Sequence, residues 1–115
     1  GTALITVGVR LEDGPFSIRS DFERPVVLEQ RPSCPRLSRE QLFRGCEGAA
    51  HSGVFYATRG FQDKCGCIVF TTFDGAHLPE DCGNGFATAA ALACFHALGE
   101  DERILQMDNQ GWEEI

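Results

Sequence analysis

A chain of 115 residues, 43% apolar and 23% charged, has the composition of one globular domain spanning residues 1–115. It is large enough to bury about two thirds of the surface its unfolded form exposes. Its formal net charge is -7, with nine Arg and a single Lys scattered along it, which argues against a phosphate-binding face, and no apolar run reaches the roughly 18 residues of a membrane span. Neither nucleic acid nor membrane is an expected partner, and without a visible signal segment the chain reads as cytoplasmic.

Residues 3–9 are rich in strand formers, Glu12 to Pro15 reads as a turn, and Phe16 to Arg19 alternates with period two, so a hairpin is expected. Val26 to Gln30 reads as a further strand, closed by Pro32 and Pro35. Ser38 followed by Gln41 has the spacing of a capping box, and Leu42 and Phe43 give one or two helical turns an apolar face before Gly45. Val54 to Thr58 and Cys65 to Phe73 read as strands, with Asp74-Gly75 turning the chain. An almost wholly apolar helix then runs from about Gly85 to Leu98 and stops at Gly99, and Ile104 to Met107 reads as a last strand. Such a helix demands enclosure on nearly every side. The expected class is therefore α+β, a curved mixed sheet wrapped around one central apolar helix.

The most informative segment lies where that helix begins: Leu78, Pro79, Glu80, Asp81, Cys82, Gly83, Asn84 and Gly85. A helix N-terminus gathers anions through its free N–H groups and its dipole. The same field favours the charged form of Cys82, so this thiol is a candidate for proton transfer, against the alternative of a partly buried thiol in a tight turn. Gly83, Asn84 and Gly85 are candidates for a carboxylate-binding cradle, or simply a turn with Asn84 as N-cap. Glu80 and Asp81 are neighbours, so in extended backbone they point opposite ways and one faces the cleft; Asp81 is the preferred proton-transferring or orienting group. A histidine ordinarily changes charge near neutral pH, which makes the residue type at His77 a further candidate, although a lone loop histidine is also an ordinary surface residue.

The six cysteines read as reduced thiols. Cys65 and Cys67 share a strand face, but without a second matching pair no metal site is expected. On the long helix, Cys94 and His96 read as core residues, and His51 as a loop residue without a triad pattern.

These residues resemble the diaminopimelate epimerase fold superfamily, and most closely the second lobe of its phenazine-biosynthesis F-type (PhzF-like) isomerases. Pro79, Glu80, Asp81, Gly85 and Ala87 fall in register with the Gly-x-Pro-Glu-Asp-Pro-x-Thr-Gly-Ser-Ala signature at that lobe's helix mouth. Similar flanks are Gly53 to Tyr56, Ile68 to Phe70, and Gln110-Gly111. Cys82, Asn84 and Phe86 stand where that signature has proline, threonine and serine, so the loop reads Cys-Gly-Asn-Gly, which resembles the catalytic-cysteine motif of diaminopimelate epimerases.

The resemblance implies a single lobe of that fold and a cofactor-independent isomerase or epimerase acting on a small carboxylic acid. In it Cys82 is a general acid/base and the helix mouth holds the substrate carboxylate. A second cysteine motif and a Ser-Glu-Thr segment are absent from the sequence. Homodimerisation supplies the missing half of the cleft in this reading, with Cys82 of one subunit facing its counterpart. The alternative is a binding or accessory lobe that keeps the fold without turnover.

Overall fold

The computed structural model describes residues 3–34, 36–80 and 82–100. Its elements are β1 (Leu4–Glu12), β2 (Ser17–Ser20), β3 (Val27–Gln30), α1 (Arg39–Thr58), a short 3₁₀ turn (Gln62–Lys64), β4 (Cys67–Leu78) and α2 (Gly83–Leu98). They form an α+β domain with a mixed four-stranded sheet and two helices.

β4 organises the sheet because it is long and β-rich enough to offer both of its edges along their length. One edge carries β1, antiparallel from Leu4 opposite Ala76 to Glu12 opposite Cys67. The other carries two short parallel strands in series, β2 against residues 67–70 and β3 against residues 74–78. The expected β1–β2 hairpin is therefore not formed. Both strands prefer the stronger partner, and the turn at residues 13–16 carries the chain past the end of β4.

Asp74-Gly75, expected as a turn, is ladder instead: Gly75 pairs with Ile5 and Leu28, while Asp74 points outward to an ion pair with Arg24. A bulge at Thr71 resets the side-chain alternation, so that Ile68, Phe70 and Phe73 all face the helices.

α1 is far longer than expected. Ser38 and Gln41 form the full capping box, the Ser38 hydroxyl accepting from the Gln41 N–H and the Gln41 side chain accepting from the Ser38 N–H. Leu42, Cys46, Ala50, Val54 and Ala57 then recur at helical spacing on one buried face. Residues 54–58 have strand-forming side chains, but that stripe continues through Val54 and Ala57, and burial overrides intrinsic propensity. The helix ends where the Thr58 hydroxyl donates back to the Val54 carbonyl at 2.8 Å.

α2 stops as expected at Gly99, whose φ of 75° is left-handed and whose N–H is bonded to the last turn. Only one stripe of it, Phe86, Ala90, Ala91, Cys94 and Phe95, is fully buried. Its cover comes from α1 as well as from β1, so one central helix inside a wrapping sheet gives way to two helices laid on one sheet face. The two cross at close quarters: a Cβ on Gly53 would sit 2.4 Å from the Ala87 carbonyl oxygen and 2.7 Å from its Cα. Beneath the crossing Phe73 is a hub, with ring centroids 5.0, 5.1 and 5.8 Å from Phe22, Phe70 and Phe86. The strand expected at residues 104–107 and the pair Gln110-Gly111 lie outside the described residues.

The opposite sheet face is covered by charge. Arg10 and Arg19 flank the fully buried Val69 in register, so their stems shield it. The Arg10 guanidinium bonds Glu12, Asp21 and Glu23, and Arg19 also bonds Glu12. Hydrogen bonds from Arg10 and then Arg19 hold the Glu12 carboxyl below its ordinary range. The folded state then binds fewer protons than the unfolded one, so this contribution is present above the ordinary carboxylate range and is lost as pH falls through the lowered folded value. Between about pH 6 and about pH 3 the urea midpoint is expected to fall further in the wild type than in Glu12→Gln, with a smaller gap in high salt. Equal falls in both proteins would contradict this role.

Candidate functional site

The connection from β4 to α2 is held at both ends. At the strand end, His77 has a left-handed backbone, φ 55°, as part of the irregular register opposite residues 28–30. Its carbonyl accepts from Arg31 Nε at 3.1 Å. The Leu78 carbonyl accepts the Arg31 N–H at 2.9 Å and lies 3.8 Å from Cys34 Sγ. The turn after β3 thus fastens the end of β4. At the helix end, Phe86 plunges into the core and its N–H closes the first turn on the Cys82 carbonyl at 3.2 Å.

The N-cap of α2 is Cys82 itself, with φ -99° and ψ 2°. Gly83, Asn84 and Gly85 are the first three helical residues, whose N–H groups have no partner inside the helix. Among the described residues no side chain caps them. Asn84 is exposed and is not the N-cap; it is the second helical residue, two positions beyond Cys82. Gly85 has a packing role as well, since a Cβ there would lie 2.6 Å from the Ile5 Cδ1 of β1.

Cys82 is half-buried, and its sulfur lies 3.8 Å from that of Cys46, which is buried on α1. Burial first, then the charge and hydrogen bond of the Cys82 sulfur, push the Cys46 thiol up to about 12. At neutral pH Cys46 therefore keeps its proton, and either sulfur can donate in the contact between them. Comparisons of the chain with protein-family models, curated proteins and solved structures find no match.

Of the residues singled out by sequence, Cys82, Gly83, Asn84 and Gly85 come together at the mouth of α2. His77 and Glu80 border the same connection with exposed side chains. Asp81 lies outside the described residues. Cys46 was not foreseen, because it is 36 residues from Cys82 and in a segment read as ending at Gly45. Its signal was the spacing Leu42-Cys46-Ala50-Val54, which extends the helix and turns Cys46 inward.

The other titratable candidates separate from the mouth. Cys65 precedes β4 while Cys67 begins it, and Gly66 between them has φ 69°, so the two thiols do not share a strand face. Cys94 is buried on α2, its thiol raised to about 12 by burial and then by Cys65. His96, expected in the core, is exposed in the last turn of α2. His51 belongs to α1 rather than a loop, its ring 5.3 Å from Phe70. Among the described residues no His, Cys, Asp and Glu side chains cluster in a way that would hold a metal, and no helix is long and apolar enough to cross a membrane.

Proposed function

We propose that the mouth of α2 is a proton-transfer site for a small carboxylic acid, in the manner of the PhzF-like isomerases and diaminopimelate epimerases that the sequence resembles, and that the chain is one lobe of that fold. The observation that carries the reading is the placement of Cys82 as the N-cap of a helix whose first three N–H groups lie free of side-chain caps among the described residues. Those N–H groups and the helix dipole suit a carboxylate, and Cys82 beside them is within reach of the carbon next to it. Cys46 keeps its own proton and lies 3.8 Å from the Cys82 sulfur, where its thiol can hold that sulfur toward the helix mouth. Cys46 is thus a positioning residue, and no cofactor is required for the transfer.

Geometry also bears on the reaction type. The sulfurs of Cys46 and Cys82 touch, so they lie on the same side of any bound molecule. A single subunit therefore returns the proton to the face it left, which suits an isomerisation that moves a double bond. Inversion at carbon needs an acid on the opposite face, and a homodimer related by a two-fold axis supplies it as the partner subunit's Cys82.

Two measurements test this. In deuterated water, a panel of small 2-amino and unsaturated carboxylic acids is followed by proton NMR. Incorporation of deuterium next to the carboxylate or along the unsaturated chain, lost in Cys82→Ala, is the expected result; no exchange, or exchange unchanged in the variant, would contradict the thiol's role. Light scattering at micromolar concentration is expected to give twice the chain mass, and a monomer would remove the shared cleft and with it epimerisation.

A further inference from the structure

The same two cysteines carry a second chemistry. They belong to different elements, α1 and the start of α2, yet their sulfurs are 3.8 Å apart, against about 2.05 Å in a disulfide. Cys82 is the N-cap of its helix and closes the first turn through its carbonyl, and among the described residues its side chain makes no cap hydrogen bond that turning toward Cys46 would break. Access divides the pair. Cys82 is partly open to solvent, whereas Cys46 is buried at 1% exposure.

We propose that Cys46 and Cys82 form a thiol–disulfide exchange pair that reduces a small-molecule disulfide and closes a bond between the two helices. The Cys82 thiolate attacks one sulfur of the external disulfide, forming a mixed disulfide at Cys82 and releasing the first thiolate. Cys46 then gives up its proton to that thiolate and attacks the Cys82 sulfur, expelling the second half of the reagent. Two protein thiols are oxidised, one external disulfide is reduced to two thiols, and nothing else is consumed. Cys82 is the attacking residue because the reagent can reach it, and Cys46 the resolving one because it cannot be reached. The bond ties α1 to α2 across a loop of 36 residues, so the oxidised form is expected to unfold at higher denaturant. Given the function proposed above, on which this consequence rests, closing the bond removes the Cys82 thiol and so switches proton transfer off.

The test uses the reduced chain and oxidised glutathione, read by intact mass and peptide mapping. The expected product has lost two hydrogen atoms, holds no glutathione, and yields one linked peptide joining Cys46 to Cys82. Cys46→Ser, or Cys46→Ala if the serine variant does not fold, is expected to keep one glutathione on Cys82, and Cys82→Ser to form neither adduct nor bond. Glutathione retained on wild-type Cys82, a bond between other cysteines such as Cys65 and Cys94, or an unreactive Cys82 would each overturn the proposal. These readouts need no turnover, so a chain that forms the bond but exchanges no substrate proton separates the failure of the functional reading from that of the exchange pair.

Discussion

Gly53→Ala is expected to destabilise the domain by about 2–3 kcal/mol, the balance of an overpacking cost of about 3 kcal/mol or more and a gain of up to about 1 kcal/mol in helix propensity. The added methyl would meet the Ala87 carbonyl oxygen at 2.4 Å and the Ala87 Cα at 2.7 Å. Both are backbone atoms of α2, so no side chain can swing away. The helices must separate, and the stripe Ala90, Ala91, Cys94 and Phe95 separates with them.

Gly45→Ala is the matched control. It lies in the same helix, exposed, with nothing within 4 Å of where a Cβ would lie, and is expected to stabilise by about 0.5–1 kcal/mol. Urea titration of the two variants beside the wild type reads both signs at once. A Gly53→Ala protein as stable as Gly45→Ala would show that the helices do not cross at this point.

The crossing also explains how far sequence reaches. The capping box at Ser38, the stop at Gly99 and the strand character of residues 67–73 were legible because each rests on a local rule: a side chain closing a helix start, a left-handed residue ending one, a run of β-branched and aromatic residues. The path of residues 46–58 was not. Val54, Phe55 and Tyr56 favour strands in isolation, and only the inward spacing of Leu42, Cys46, Ala50 and Val54 marks the helix that burial enforces. The hairpin failed for a related reason. Local turn chemistry at Glu12 to Pro15 was read correctly as a reversal, but what β1 and β2 pair with depends on β4, some 50 residues later.

The site divides in the same way. Cys82, Gly83, Asn84 and Gly85 were contiguous and sat at a helix start, so their gathering followed from one local motif. Cys46 reached the site through tertiary packing of α1 on α2, which no short window of sequence encodes. Gly85 shows the limit of reading a motif by its chemistry alone: its missing side chain makes room for Ile5 whether or not a ligand approaches.

The largest functional effect is expected from Cys82. A general acid/base positioned at the reacting carbon contributes about 10²–10⁴-fold in rate, so Cys82→Ala should slow proton exchange by that factor. Ligand binding is expected to change little, because the proposed carboxylate cradle is the backbone N–H groups of Gly83, Asn84 and Gly85, which the substitution leaves in place. Cys46 loses its hydrogen-bonding partner, but a thiol is a weak donor and the variant should remain folded. Cys82→Ser, which keeps the size of the group but not an ionisable thiol, is expected to resemble the alanine variant in rate.

The most direct measurement is therefore the rate of solvent-deuterium incorporation into a bound small carboxylic acid by the wild type and by Cys82→Ala, with binding followed in parallel by the shift in unfolding midpoint the acid produces. Incorporation that falls about 100-fold or more while the shift persists is the result predicted for proton transfer by Cys82. Incorporation that continues at the wild-type rate, or is absent from the wild type while the acid still shifts the midpoint, would contradict it and leave a binding lobe without turnover.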